Sequence, residues 1–184
     1  MKLANENPDQ VVVLFQDECS FYRQPSTGWL WSWMGRTQPK MRYAHKNNTC
    51  MRVVGYLNAT TGVLHSDDME AVTAQNLARN VSKVSSWYPH AKKIFLAWDN
   101  WPNHYSAPVR KAIKQQKRVE VLHLPTYSPW LNPIEKVWRR ARQNVSHAHP
   151  WCDRFDEFRR QVHAELGSMA EGSSDLLRYV GLLV

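Results

Sequence analysis

Val11-Val12-Val13-Leu14-Phe15-Gln16-Asp17 is the stretch on which the fold turns. An apolar run of about five β-branched and aromatic residues is too short for an ordinary helix and reads as a buried strand. An acid stands at its exit. The pattern returns at Ile94-Phe95-Leu96-Ala97-Trp98, which leads into Asp99. In open α/β sheets ligands collect at the carboxyl ends of the strands. A carboxylate buried there costs several kcal/mol unless a cation or hydrogen-bond donors compensate it. One acid ending a strand is commonplace, usually the first residue of a turn. Two of them, with Glu135 inside Leu131-Asn132-Pro133-Ile134-Glu135, can converge on metal.

Outward from these runs, the first part of the chain reads as an antiparallel meander: strands at 11–16, Gly28-Trp29-Leu30-Trp31-Ser32-Trp33 and about 49–56, with an extension or turn at 58–64. Thr73 caps a helix whose apolar face is Leu77, Val81, Val84 and Tyr88, stopped by Pro89. The strand at 94–98 follows, then a helix near 106–117 opened by Ser106 and Pro108, and a strand at Val119-Glu120-Val121-Leu122-His123. Beyond Pro125-Thr126-Tyr127-Ser128-Pro129 come helices at 133–146 and 153–166, the latter carrying Phe155, Phe158, Val162 and Leu166 on one side. This order implies one mixed sheet with helices on its faces. Residues 1–10 form a polar lead, 11–166 the domain, and 167–184 a tail with a short helix.

The helix of Glu135 has a second reading. Asn132 suits the N-cap and Pro133 the first helical position, so Glu135 falls at N3 and can close a capping box. Ile134, Val137, Trp138, Ala141 and Val145 form the core-facing stripe, whereas Glu135, Arg139 and Arg142 share another face. The helix dipole favours an ionised Glu135 in either role.

The 184 residues suffice for one domain with a real core. No stretch approaches the roughly 20 apolar residues of a membrane helix, and the polar start lacks a signal-peptide core, which points to the cytoplasm. Cys19, Cys50 and Cys152 suggest neither a disulfide framework nor a zinc site. The net charge of +8 points to a polyanion. Residues 105–160 hold twelve basic against five acidic side chains, including Lys136, Arg139 and Arg142. Residues 36–52 carry Arg36, Lys40, Arg42, Lys46 and Arg52 without an acid. Such a stretch is either a solvated edge strand or a set of phosphate contacts.

Four blocks, Gln16-Asp17-Glu18-Cys19-Ser20-Phe21, residues 31–35, Asp99-Asn100-Trp101-Pro102-Asn103-His104, and the run from Leu124-Pro125-Thr126-Tyr127-Ser128-Pro129 through Trp138, resemble the catalytic domain of mariner-related bacterial insertion-sequence transposases, within the DDE superfamily of endonucleases. Thirty-five residues separate Asp99 from Glu135, close to that family's spacing. The resemblance implies an α/β, ribonuclease H-like (retroviral integrase-like) fold. It also implies that Asp17, Asp99 and Glu135 are the catalytic triad and hold Mg²⁺, with Mn²⁺ as a substitute, as two ions. The implied reaction is hydrolysis at transposon ends, then attack of the freed 3′-hydroxyl on target DNA, within a homodimer or higher synaptic assembly. Hard oxygen ligands suit Mg²⁺.

Within the matching blocks, Glu18 reads as a supporting group or an extra ligand, or else as a salt-bridge partner of a lysine or arginine. Asn100, His104 and Asn132 are candidates to orient a ligand or phosphate. His147 and His149 have the wrong spacing for one helical face and read as a solvated helix end. Trp29, Trp31 and Trp33 read as core. The family's helix-turn-helix recognition domains have no counterpart in the few residues before the first strand. A silent DNA- or transposase-binding fragment is therefore the alternative function, and a ribonuclease of the same fold a third.

Overall fold

The computed structural model describes residues 2–7, 9–27, 31–38, 41–42, 48–126 and 128–183. A short helix, α1 (Lys2–Glu6), precedes β1 (Val11–Tyr22), which pairs antiparallel with β2 (Cys50–Asn58), itself antiparallel to β3 (Leu64–Met69). Two helices, α2 (Ala74–Val81) and α3 (Val84–Trp87), lead to β4 (Lys93–Trp98), parallel to β1. Then α4 (Ala107–Gln115) crosses to β5 (Val119–His123), parallel to β4. The chain ends in α5 (Ile134–Ala141), a π turn over Arg142–Ser146, α6 (Phe155–Gly167) and α7 (Ser174–Val180). The sheet order is β3-β2-β1-β4-β5. β1 thus lies central, so residues on either of its faces are covered by helices.

Side-chain alternation along β1 divides the core. Cys19 and Phe21 pack with Ile134, Val137, Trp138 and Ala141 of α5, Phe158, Val162 and Leu166 of α6, and Leu176 and Val180 of α7. Val12 and Leu14 face the other way, against Leu77 and Val81 of α2, Val84 of α3 and Val109 of α4. Asp17 therefore shares the α5 face, and Glu18 the opposite one. The 167–184 segment, expected to be a tail, contributes α7 to the first of these clusters.

Several expectations need correcting. The strand expected at 28–33 falls partly outside the described residues, and Trp31 and Trp33 lie outside the sheet and are solvent-exposed rather than core. β1 runs on to Tyr22 and takes β2 directly as its neighbour on one side and β4 on the other, so both of its own edges are filled. The third meander strand is β3 instead, a polar sequence in which only Leu64 and Met69 are buried. That pattern is normal for a sheet edge. The helix begun at Thr73, whose hydroxyl accepts from the Asn76 amide, breaks into α2 and α3. His149 is buried, stacked between Trp151 and Phe158, and is no solvated helix end.

One close approach positions the α5 face. Gly55 stands opposite Asp17 in the β1–β2 register, and the Trp138 indole fills the space its side chain would take. A Cβ at Gly55 would lie 2.4 Å from the Trp138 ring. Trp138 is fully buried and cannot swing aside. Gly55→Ala should accordingly cost about 3 kcal/mol of unfolding free energy, the upper part of the overpacking range. Urea denaturation measures it; a loss below about 1 kcal/mol would show that the α5–β2 contact is slack.

Candidate active site

Three elements bring the three acids to one cleft. Asp17 comes from the middle of β1, Asp99 directly follows β4, and Glu135 lies in the first turn of α5. All three line a cavity of about 310 Å³, with Asn100, Trp101, Thr126, Ser128 and Asn132 among its walls.

Asp17 is the buried member. Its Oδ2 accepts a hydrogen bond from Trp138 Nε1 at 3.1 Å. Burial, then the charges of Glu135 and Glu18, push its carboxyl up to about 8; Asp99 adds to the rise and the Glu18 backbone amide offsets part of it. Negative charge at this point is under-compensated. The helical period places Trp138 in the core stripe and no further; its role as a donor depends on Gly55, which lets the ring lie against the sheet beside Asp17.

Asp99 is held from its own loop and from the opposite face of the sheet. Its Oδ1 accepts from the Trp101 amide at 2.9 Å. His104 Nδ1 stands 3.1 Å from the same oxygen and 3.0 Å from the Asp99 carbonyl, while Nε2 lies 3.5 Å from Glu18 Oε1. The His104 ring is buried and stacks on Trp98, with centroids 4.3 Å apart and planes 1° from parallel. Glu18 also accepts from Gln16 Nε2 at 2.8 Å. It therefore supports Asp99 through His104, and its partners are His104 and Gln16 rather than a lysine or arginine.

Asn132 does not cap α5. Its Nδ2 donates to the Gln16 carbonyl at 3.0 Å, its backbone amide donates to Pro129, and its Oδ1 is buried without a partner. No capping box forms, and Pro133 occupies the N-cap position. Asn132 instead ties the start of α5 to β1, one residue before Asp17. Asn100 likewise bridges strand exits: Nδ2 donates to the Leu124 carbonyl at 2.7 Å, and Oδ1 accepts from Tyr105 Oη.

A second cavity of about 540 Å³ runs on from the first, sharing Pro129, Asn132 and Glu135 and continuing along Arg139, Arg142, Gln143 and His147. The shared face of Glu135, Arg139 and Arg142 thus lines one groove. Arg142 also donates to Cys19 Sγ at 3.1 Å, although burial still pushes that thiol up to about 12. Lys136 lines this groove too, but its ammonium, like the guanidinium of Arg118, is differently engaged. Lys136 Nζ donates to the Val180 carbonyl at 2.9 Å, closing the end of α7. Arg118 donates to the carbonyls of Ser85 and Tyr88, and so serves the fold. Arg36 and Arg42 are exposed and Arg52 half-buried, and none of the three lines the acid cleft; Lys40 and Lys46 lie outside the described residues.

Among the described residues, no three His, Cys, Asp or Glu side chains stand close enough together to form a finished metal site. The donor set nonetheless fits a divalent ion chemically. It consists of hard carboxylate oxygens, and the raised Asp17 shows repulsion that a cation would relieve.

Three parallel strands, β1, β4 and β5, continued on one side by an antiparallel meander, with acids at two strand positions and on a late helix, define a ribonuclease H-like domain of the integrase type. The model of the DDE superfamily endonucleases matches residues 12–159, and the chain belongs to that family. It is 25% identical over 162 residues to an insertion element IS630 uncharacterized 39 kDa protein of Shigella sonnei, covering 88% of this chain and 47% of the relative. Among solved structures it is similar to the Mos1 mariner paired-end complex with Mn, at a TM-score of 0.64 and 15% identity, covering 98% of this chain and 54% of Mos1. An intasome of simian T-cell lymphotropic virus shares the fold at a TM-score of 0.54 and 10% identity, over 87% of this chain and 48% of that one. The chain spans about half the length of these relatives. DDE endonucleases use divalent metals, and Mos1 is also solved with Mg. Among the described residues, no helix is long and apolar enough to cross a membrane.

Proposed function

We propose that this chain is the catalytic domain of a transposase, cutting DNA at element ends and joining the freed 3′-hydroxyl to target DNA, with Asp17, Asp99 and Glu135 holding Mg²⁺ or Mn²⁺. The observation that carries the reading is the junction of acid cleft and basic groove at Glu135. Two bound ions would activate the attacking oxygen and stabilise the leaving one in an in-line displacement. The chain's own residues do the rest. Asp17 is fixed by Trp138, and Asp99 by His104 and the Trp101 amide, so both carboxylates are oriented before substrate arrives. Asn132 sets the height of α5 and hence of Glu135. Arg139 and Arg142 grip the DNA backbone leading to the cleft. Water first and the 3′-hydroxyl later can use the same acids.

Nicking of supercoiled plasmid in Mg²⁺ or Mn²⁺, abolished by EDTA, tests this. A protein that binds DNA and never nicks it with either ion is the silent fragment of the alternative reading. Cleavage confined to RNA strands would make it a ribonuclease.

The groove makes a second forecast. Phosphate contacts give affinity without sequence discrimination. Log K for duplex DNA should therefore fall with log salt by roughly 0.9 per neutralised phosphate. Arg139→Gln and Arg142→Gln should each lower that slope by about one. Anisotropy titrations across salt concentrations measure it, and an unchanged slope in the double variant would remove the groove from the DNA path.

A further inference from the structure

Trp130 sits at the mouth where the acid cleft meets the basic groove and is 74% exposed. It is the middle residue of the 3-10 turn Pro129–Leu131, whose neighbours Pro129 and Asn132 line both cavities. The turn is not loose: the Leu131 amide donates to Ser128, and Asn132 is anchored to β1. A hydrogen-bonded backbone thus presents a large aromatic ring to solvent five residues before Glu135, along the cavity both residues line. Arg139, Arg142 and His147 continue the same groove. An indole face beside a row of cations is the chemistry that binds single-stranded nucleic acid, since every base offers a π-face and every linkage a phosphate. Inside a duplex both faces of a base are already stacked, and a blunt end frees only one face of its terminal pair, so an unpaired base is the ring's better partner.

We propose that Trp130 stacks on an unpaired nucleobase adjoining the phosphate at the acids, so that the groove along Arg139 and Arg142 takes a single-stranded DNA end. This rests on the reading of the acid cleft as the DNA-cleaving site. The base fixes the register of the strand, and the cations carry its backbone away. Blunt duplex would engage the cations and no more than the free face of its terminal pair.

The test compares a blunt duplex with the same duplex bearing a three-nucleotide single-stranded tail, in EDTA so that nothing is cut. 2-Aminopurine replaces the first unpaired base. The full chain should bind the tailed DNA more tightly and quench the 2-aminopurine. Trp130→Ala should lose about ten- to a hundredfold in affinity for the tailed DNA, as expected for one base–aromatic stack. Its loss on blunt DNA should be several-fold smaller, and Trp130→Phe should recover part of the loss on the tailed DNA. Equal losses on both DNAs, or none on either, would overturn the proposal. So would a change in sedimentation of Trp130→Ala with DNA binding intact, which would make Trp130 a protein contact. Stacking through Trp130 in a protein that never nicks plasmid with Mg²⁺ or Mn²⁺ would leave the stack standing and sink the catalytic reading. Nicking with no role for Trp130 in binding would do the reverse.

Discussion

Glu135→Gln is expected to reduce metal-dependent plasmid nicking by about a thousandfold or more, the scale of losing a member of a catalytic set that acts as a unit. Its thermal stability should stay within a few degrees of the parent. Glutamine keeps the side chain's shape and helix propensity but is a neutral, poor ligand for Mg²⁺. Two small effects on stability oppose each other. Losing a negative charge from the first turn of α5 forgoes a favourable interaction with the helix dipole. Losing it beside Asp17 relieves a repulsion. The capping role that would otherwise explain a Glu here is absent, because Asn132 is committed to the Gln16 carbonyl and its Oδ1 meets no donor. Normal nicking by Glu135→Gln, measured beside its melting curve, would remove Glu135 from the chemistry.

Much of the architecture is written in local pattern. β1 and β4 contain apolar runs of strand length ending near acids, and the stripes of α5 and α6 have the helical period; all four elements form over these patterns, although β1, expected at 11–16 with Asp17 at its exit, continues through Asp17 to Tyr22. β3 escaped because an edge strand buries one face at most, and Leu64-His65-Ser66-Asp67-Asp68-Met69 offers too little alternating apolar signal. The tryptophan-rich segment misled for the converse reason. Trp31 and Trp33 carry strong strand propensity, but propensity for a pleated surface is realised only where a neighbouring strand is free, and β2 already occupies that edge of β1.

At the site, Asp99 and Glu135 were legible because each follows or opens a recognisable element, and Asp17 because it closes the apolar run of β1, although the strand itself continues past it to Tyr22. The groups that hold them were not. His104 reaches Asp99 and Glu18 from the face of the sheet opposite Asp17, and Trp138 reaches Asp17 only because Gly55 lacks a side chain. Both depend on which strands are neighbours and in what register. The same holds for charge: Lys136 and Arg118 count equally with Arg139 in a tally, yet they are spent on carbonyls of α7 and of the 85–91 region.

A gain in stability should come from Asp17→Asn, which is expected to be more stable than the parent without metal, by an amount that grows with pH. The folded carboxyl titrates at about 8, against an ordinary value of 3.8. Between these values the folded state holds a proton that the unfolded state has released, so the parent loses stability as pH rises through that window. Below about 4 both states are protonated and the loss vanishes. The asparagine amide cannot ionise, and its oxygen can still accept from Trp138. Three histidines complicate the parent's own profile. His65, His123 and His149 are all lowered, chiefly by burial, so they withdraw stability as pH falls below about 6.5. Subtracting one protein from the other cancels them. Urea denaturation in EDTA at about pH 5 and about pH 8 should therefore show a stability gap widening by more than about 1 kcal/mol, since each tenfold difference in proton affinity between the two states is worth about 1.4 kcal/mol. Mg²⁺ or Mn²⁺ should raise the stability of the parent and do little for Asp17→Asn, while nicking by the variant is lost. A gap that is flat with pH would mean that Asp17 is already compensated without a cation. The strongest physical argument for a metal at this cleft would then fall.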